Sequence, residues 1–215
     1  LIKDNIIPNI EKYKKIKLPK FKKPLIICGP VDNIKILKNI LNFADSINAP
    51  IIADLLSGLR SYGKNKRIMT YYDFYIKKLS PDLIIRFGFK PISKNVHDFL
   101  DNNKNITCLI NNKKPLNDDS KKIILADLNN LNTIQTSYKG DKQFIDKICN
   151  LENRASEIVN DYISKYNSQA HIIRLGINNI NKNDHIFIGS STIIRMFDQF
   201  SGKINKNLKL FSNHI

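Results

Sequence analysis

The chain has 215 residues, of which 42% are hydrophobic and 25% are charged. A chain of this length can bury one large core or two small ones, and the composition is typical of a globular protein rather than of a disordered one. No apolar run approaches the roughly 20 residues that cross a bilayer. The first residues, with Lys3, Asp4 and Pro8, do not form a signal peptide. We therefore expect a cytoplasmic protein without a membrane span.

The formal net charge is +16, from 35 Lys and Arg residues against 19 Asp and Glu residues. Such a charge suits a polyanionic partner when the cations are gathered on one face. Here the lysines are spread along the whole chain together with abundant Asn and Ile, and no basic motif interleaved with aromatic residues occurs. We expect no nucleic-acid partner, whereas affinity for small anions remains an expectation.

The cysteines Cys28, Cys108 and Cys149 are odd in number and far apart, without CxxC spacing or paired histidines nearby. This pattern supports neither a disulfide framework nor a zinc site. We expect buried thiols and no metal site in this chain.

The N-terminal residues 1–24 are basic and contain Pro8, Pro19 and Pro24. Proline is disfavoured inside helices and common in connecting segments. The pattern predicts a short helix around 9–16, followed by an extended connector into a domain.

Short apolar runs then alternate with amphipathic stretches. Predicted strands have the sequences PLIICGP, APIIAD, PDLIIRFG, NITCLI and KKIILAD. Predicted helices cover Asn33 to Ile47, with Asp32 as N-cap, and the stretches YYDFYIKKL and KNVHDFLDN. The alternation predicts an α/β fold with a Rossmann-like, doubly wound and mostly parallel sheet. Such sheets bind ligands beyond the carboxyl ends of their strands.

The C-terminal third begins with a predicted long helix over 141–166 and a second helix over about 168–177. A strand HIFIGSS, a helix TIIRMFDQF and a strand LKLFSN follow. This last unit is too small to bury a core of its own. We divide the chain into a linker at 1–24, a central domain at 25–180 and the incomplete start of another domain at 181–215.

Three predicted strands end in loops of special composition, CGPVDN, ADLLSGLRSYG and RFGFKPISK, which would emerge at one edge of the sheet. In the second loop, Ser57, Gly58 and Arg60 can offer donors to an anion, or Gly58 only relieves a tight turn. Asp54 is a catalytic candidate or a cap of that turn. Both alternatives stay open in each case.

Lys94 lies in the first turn of the helix that Ser93 begins, after Pro91. A cation is locally unfavourable at a helix N-terminus, and unfavourable placements are often functional. The alternative is an exposed lysine without a role.

Ser191 begins a helix that follows a strand, where free N–H groups and the helix dipole favour an anion. Arg195 is four residues further on and projects to the same side. The pair indicates a carboxylate or phosphate site, or else Ser191 merely caps the helix and Arg195 is solvated. The histidines His97, His171 and His185 have no partner at nucleophile or metal spacing. Neither a Walker sequence nor a GxGxxG pattern occurs.

Taken together, the segments PIIADLLSGLRS, YYDFYIKKLSPDLIIRFGFKPISKNVHDFL, IFIGSSTIIRMFDQF and FSN resemble the thiamine-diphosphate-dependent synthases of menaquinone biosynthesis. The resemblance covers nearly the whole chain. It implies formation of 2-succinyl-5-enolpyruvyl-6-hydroxy-3-cyclohexene-1-carboxylate from 2-oxoglutarate and isochorismate, with thiamine diphosphate and Mg²⁺ as cofactors.

The family has three domains, and the chain resembles the central Rossmann-like domain (25–180) with the start of the diphosphate-binding domain (181–215). The family's catalytic glutamate and its GDG motif have no counterpart here. The resemblance therefore implies no catalytic residue in this segment, an inactive isolated chain, and a homo-oligomer for the full-length enzyme. A free-standing Rossmann-like module that binds a nucleotide or anion without catalysis is the alternative.

The resemblance also implies site residues. Lys94, Ser191 and Arg195 match family residues that contact the isochorismate carboxylates or lie beside the cofactor. Ser190 stands beside the cofactor in place of a family asparagine. His214 replaces a family arginine as a substrate ligand, and it is only partly charged at neutral pH, so binding there is expected to be weaker or pH-dependent.

Overall fold

A computed structural model describes residues 9–12, 16–31, 33–62, 64–113, 118, 120–204 and 206–213. Their centre is a seven-stranded sheet in which every paired neighbour is parallel. Its strands are β1 (Asn9–Lys12), β3 (Pro24–Cys28), β4 (Ile51–Ala53), β5 (Ile68–Met69), β6 (Leu83–Phe87), β7 (Thr107–Asn111) and β8 (Lys122–Leu125).

The order of the strands is β1-β8-β7-β6-β3-β4-β5. From β3 the chain runs outward through β4 and β5, returns to β6 on the other side of β3, and then runs outward again. The winding therefore reverses between β3 and β6, and this reversal point is where doubly wound sheets bind ligands. The predicted Rossmann-like α/β fold is confirmed.

Each face of the sheet is covered, because alternate residues of one strand point to opposite sides. Ile26 and Cys28 of β3 join one buried cluster with α1 (Leu37–Ser46). Leu25 and Ile27 join the other, which contains residues of α2 (Lys94–Asn102) and α3 (Lys142–Lys165). Two covered faces explain why the strands read as continuous apolar runs.

The remaining elements form the C-terminal part and a small side pair. They are α4 (Gln169–Asn179), β10 (His185–Ile188), α5 (Thr192–Phe200), β11 (Lys209–Ser212), and the parallel pair of β2 (Ile16–Lys17) with β9 (Ile134–Gln135). Strands β10 and β11 form their own parallel pair, separate from the large sheet. A third apolar cluster joins this part to Leu55, Leu56 and Ile92, which lie beyond the carboxyl ends of β4 and β6.

Two predicted helices are wrong. Over 71–79 the chain makes two short 3₁₀ turns, Tyr72–Phe74 and Ile76–Lys78, because the hydroxyls of Tyr72 and Tyr75 are drawn inward to buried carboxylates. Near the N-terminus, 9–12 is not helical but forms β1 beside β8. The predicted N-cap Asp32 and residues 13–15 of the predicted first helix lie outside the described residues.

The other predicted helices and strands are confirmed to within a few residues. Within the part of the chain that the structure describes, no helix is long and apolar enough to span a membrane.

A substitution at Gly88 tests the close contact between the loops after β3 and β6, at the point where the winding of the sheet reverses. The φ of Gly88 is +75°, and a Cβ there would lie 2.3 Å from the carbonyl oxygen of Pro30. Gly88→Ala should therefore lower the free energy of unfolding by about 2 kcal/mol or more, through strain and displacement of the neighbouring loop. Urea unfolding monitored by circular dichroism measures the change.

The matched control is Gly176→Ala in α4, where a Cβ would meet nothing within 4 Å. This substitution should raise the free energy of unfolding by about 0.5–1 kcal/mol, because alanine favours helix. Equal effects of the two substitutions would contradict the tight contact at Gly88.

Candidate functional site

The loops after β3, β4 and β6 contact one another at the carboxyl edge of the sheet. The N–H of Gly29 donates to the carbonyl of Phe87 at 3.0 Å, and the N–H of Phe89 donates to Pro30 at 2.7 Å. The N–H of Asp54 donates to Cys28 at 3.0 Å. The three loops are therefore joined by hydrogen bonds at the carboxyl edge of the sheet.

Asp54 caps the turn that follows β4 and joins it to the loop after β6. It is buried, and its Oδ1 accepts from the N–H of Leu56 at 2.8 Å, which caps the turn Leu55–Ser57. Its Oδ2 accepts from the N–H of Ile92 at 2.7 Å and so holds the loop after β6. Burial, together with repulsion from Asp198, raises the pKa of Asp54 to about 7. Of the two alternatives for Asp54, the structure supports the cap.

Arg60 is buried, with 1% of its surface exposed, and does not face solvent. Its guanidinium makes four hydrogen bonds: Nε donates to Ala53 at 3.0 Å, Nη1 donates to the Asp198 carbonyl and to Ser201, and Nη2 donates to Oδ1 of Asp198 at 2.6 Å. Burial alone would lower the pKa of Arg60, but the charge of Asp198 raises it. Arg60 therefore binds groups of the protein itself and is not available to an anion, whereas Gly58 has the left-handed backbone, with a φ of 76°, that a tight turn requires.

Asp198 is the partner that joins α5 to the central sheet. Its carboxylate accepts from Arg60, from the N–H of Leu55 at 2.9 Å and from the Tyr72 hydroxyl at 2.7 Å. Burial raises the pKa of Asp198 and also that of Tyr72, which the neighbouring carboxylate raises further. Every oxygen of this buried carboxylate is therefore satisfied, which is the condition under which a buried ion pair holds a structure together.

A second buried carboxylate fixes the segment that carries Tyr72. Glu152 of α3 accepts from the N–H and the hydroxyl of Thr70 at 2.7 and 2.9 Å, from the N–H of Tyr71, and from the Tyr75 hydroxyl at 2.8 Å. The turns at 72–78 are thus held from two sides.

Lys94 and Arg195, predicted from separate motifs, line the same pocket of about 100 Å³. Lys94 is the first residue of α2, which Ser93 caps by accepting from the N–H of Val96 at 3.2 Å. Arg195 lies in the first half of α5. Both side chains are exposed, and neither forms an ion pair with any residue that the structure describes. Two cations without an ion-pair partner among the described residues therefore line one pocket. Its lining residues are Asp73, Ser93, Lys94, Asn95, Arg195, Asp198 and Gln199.

Ser190 and Ser191 are exposed at the start of α5 and do not line this pocket. The side chain of Ser191 makes no capping hydrogen bond, and its φ of 76° is rare for a residue other than glycine. The alternative that Ser191 serves as a side-chain cap is thus not supported. Predicted ligand His214 lies outside the described residues.

Of the cysteines, Cys28 and Cys108 are buried as expected, and burial raises the pKa of the Cys28 thiol. Cys149 is only partly buried, so the expectation of a buried thiol is wrong there, because its helix position faces the edge of the core. Among the described residues, no group of three His, Cys, Asp or Glu side chains could hold a metal ion.

Several residues of the site were missed from the sequence: Asp73, Asn95, Asp198 and Gln199. Asp198 carried a signal, since it lies four residues after the buried Ile194 and so on the core face of α5. An acid at such a position requires a buried partner. Its partner, Arg60, is 138 residues away and cannot be identified from spacing.

No protein-family model matches the sequence. Similar proteins include the 2-succinyl-5-enolpyruvyl-6-hydroxy-3-cyclohexene-1-carboxylate synthases of Listeria innocua serovar 6a, 26% identical over 209 residues, and of Listeria monocytogenes serovar 1/2a, 27% identical over 213 residues. The synthase of Staphylococcus haemolyticus is 27% identical over 203 residues.

These alignments cover 89–90% of this chain and 36% of each relative. The chain therefore spans little more than a third of the length of these curated relatives. The resemblance inferred from the motifs is confirmed: the chain is similar to one segment of these synthases.

Arg60→Met tests the buried ion pair. Methionine roughly fills the space but leaves Asp198 without its cation, so the free energy of unfolding should fall by about 3–5 kcal/mol. Urea unfolding of the purified chain measures this. The control, Arg67→Met, breaks an ion pair with the exposed Asp45 and should cost about 1 kcal/mol or less. A loss at Arg60 no larger than the control's would contradict the assigned role.

Asp54 makes stability depend on pH. Because its pKa is about 7 in the folded chain against an ordinary 3.8, the folded state binds the proton more tightly than the unfolded state does. The free energy of unfolding should thus be highest below pH 4 with respect to this group and fall as pH rises to 7. Asp54→Asn should remove this fall.

The measurement compares the wild-type and Asp54→Asn chains by urea unfolding at pH 5 and pH 8. The wild type should lose stability relative to the variant between the two values. The control is Ser57→Ala, which removes a hydrogen bond to the Asp54 carbonyl in the same turn but no titratable group, so it should leave the pH dependence unaltered. Parallel pH profiles of the wild type and Asp54→Asn would refute the raised pKa.

Proposed function

We propose that the chain is a segment of a 2-succinyl-5-enolpyruvyl-6-hydroxy-3-cyclohexene-1-carboxylate synthase that helps to bind isochorismate. The observation that carries the proposal is the meeting of Lys94 and Arg195 in one pocket, each without an ion-pair partner among the described residues. Similarity to synthases of that name supports the same assignment.

The charges suit this substrate. Isochorismate carries two carboxylates, and an ammonium and a guanidinium from different elements can each take one. Lys94 supplies a compact point charge, whereas the planar fork of Arg195 can bind a carboxylate through two parallel hydrogen bonds. Two such contacts define the orientation of the ring as well as its affinity, and orientation of a bound reactant lowers the barrier to reaction.

Within this proposal, Ser191 and Ser190 approach the substrate or the cofactor from the start of α5. The free N–H groups of that helix end favour a negative charge. The positive φ of Ser191 is the kind of costly backbone conformation that clusters at functional sites. His214 is assigned the second substrate contact of this region on the basis of the resemblance alone.

The described residues contain no group of three His, Cys, Asp or Glu side chains that could hold a metal ion, so we assign none of them to Mg²⁺ and derive no step through thiamine diphosphate. Both cofactors, the second substrate 2-oxoglutarate, the homo-oligomeric state and the cytoplasmic location belong to the proposal for the complete protein. No residue of the segment is assigned a catalytic role.

The division at residue 180 is also part of the proposal. It is supported by the parallel pair of β10 and β11, which among the described strands shares no hydrogen-bonded neighbour with the large sheet. On the exposed face of this pair Phe187 lies opposite Phe211, with 68% and 49% of their surfaces exposed. Parallel sheets are normally covered on both faces, so this pair suits the start of a larger sheet.

Arg195→Ala tests the substrate assignment in the complete protein. Because Arg195 is proposed to hold an isochorismate carboxylate, its loss should raise the KM for isochorismate at least about tenfold and change the KM for 2-oxoglutarate much less. Steady-state kinetics with each substrate varied in turn gives both values. Lys94→Ala should act in the same direction but more mildly.

The control is Arg154→Ala, an exposed arginine of α3 that does not line the pocket. It should leave both KM values unchanged. Equal effects of Arg195→Ala on the two substrates would assign Arg195 to the cofactor or to the fold instead.

A further inference from the structure

Asp73 is a carboxylate in the wall of the pocket that holds Lys94 and Arg195. The pocket thus contains two cations and one unneutralised anion, since Asp198 is paired with Arg60. An anion in this position would be expected to form an ion pair with one of the cations. Asp73 forms no such ion pair, and its role follows from the hydrogen bonds that it accepts instead.

Both oxygens of Asp73 accept hydrogen bonds from neutral groups. The hydroxyl of Ser93 donates to Oδ1, and Nε2 of Gln199 donates to Oδ2 at 2.5 Å. The side-chain amide of Asn95 also donates to the backbone carbonyl of Asp73, at 3.2 Å. Each contact reaches a different part of the pocket wall.

Each of these two side-chain partners, Ser93 and Gln199, is close in sequence to one of the cations. Ser93 immediately precedes Lys94 and caps α2. Gln199 lies one helical turn after Arg195 on α5, in the same pocket wall. A single side chain therefore ties the start of the helix that carries Lys94 to the helix that carries Arg195.

We propose that Asp73 is a positioning residue for the isochorismate site: by accepting from Ser93 and Gln199, it fixes the separation of Lys94 and Arg195. Because neutral donors hold both of its oxygens, Asp73 joins the two helices without forming an ion pair with either cation. This inference rests on the proposed function. The positioning role would also contribute to substrate specificity, since two cations at a fixed separation favour a dianion whose two carboxylates are the same distance apart.

The test uses the complete protein with Asp73→Ala, Gln199→Ala and the double variant. Steady-state kinetics and calorimetric titration with isochorismate give KM, kcat and affinity. Asp73→Ala should raise the KM for isochorismate about tenfold, Gln199→Ala about threefold, and the double variant no more than Asp73→Ala, because the two residues share one bond. The KM for 2-oxoglutarate should stay within about twofold.

Asp73→Asn keeps one acceptor oxygen and should recover most of the affinity that Asp73→Ala loses. Asp82→Ala is the matched control, because Asp82 also accepts two hydrogen bonds, from the N–H groups of Lys22 and Lys23 at 2.7 and 2.8 Å, but lies outside the pocket. It should lower the melting temperature without changing the ratio of the two KM values.

The proposal is overturned if Asp73→Ala leaves isochorismate affinity unchanged, or if it tightens binding, which would make Asp73 a repelling charge. Additive effects of Asp73→Ala and Gln199→Ala, or failure of Asp73→Asn to recover affinity, would overturn the shared hydrogen bond. Arg195→Ala distinguishes a failure of the proposed function from a failure of the positioning role. No effect of Arg195→Ala on isochorismate refutes the proposed function itself, whereas an effect of Arg195→Ala without one of Asp73→Ala refutes only the positioning role.

Discussion

The arrangement of the site depends on the ion pair of Arg60 and Asp198, each with 1% of its side chain exposed. Arg60 follows β4 of the central sheet, and Asp198 lies on α5, so the pair connects two parts of the chain that are far apart in sequence. Two charges removed from water are stable only when they are paired and their remaining hydrogen-bonding capacity is satisfied. Leu55, Tyr72 and Ser201 provide these further bonds. The position of α5, and with it that of Arg195, follows from this requirement.

The basic residues of the region divide into two kinds. Arg60 has an acidic partner and a complete set of hydrogen bonds, so it contributes to the fold. Lys94 and Arg195 are exposed and have no ion-pair partner among the described residues, and the nearby carboxylate of Asp73 is engaged by neutral donors. Cations of the second kind are the ones that we propose for ligand binding. The net charge of the chain does not distinguish the two kinds.

The strands β3 and β6 were predictable because they have continuous apolar runs, and α3 was predictable because its apolar residues have a helical period. The buried two-residue strand β5 was not predicted. The turns at 72–78 were not predictable, because their backbone follows where Asp198 and Glu152 bind the tyrosine hydroxyls, and both acids are distant in sequence. Strand order brought the three predicted loops to one edge, but only the third loop, through Ser93 and Lys94, lines the pocket. The buried state of Arg60 and the hydrogen bond of Asp73 to Gln199 were not predictable, because their partners are 138 and 126 residues away.

The buried pair of Arg60 and Asp198 and the exposed cations Lys94 and Arg195 respond differently to ionic strength. Dissolved ions screen exposed charges over a Debye length of about 8 Å at physiological ionic strength, but they screen a buried pair much less. In the proposed site, added salt would therefore weaken the attraction of Lys94 and Arg195 for an anion more than the pairing of Arg60 with Asp198, which keeps α5 in place. Under this proposal, anion affinity responds to salt more strongly than the position of α5 does.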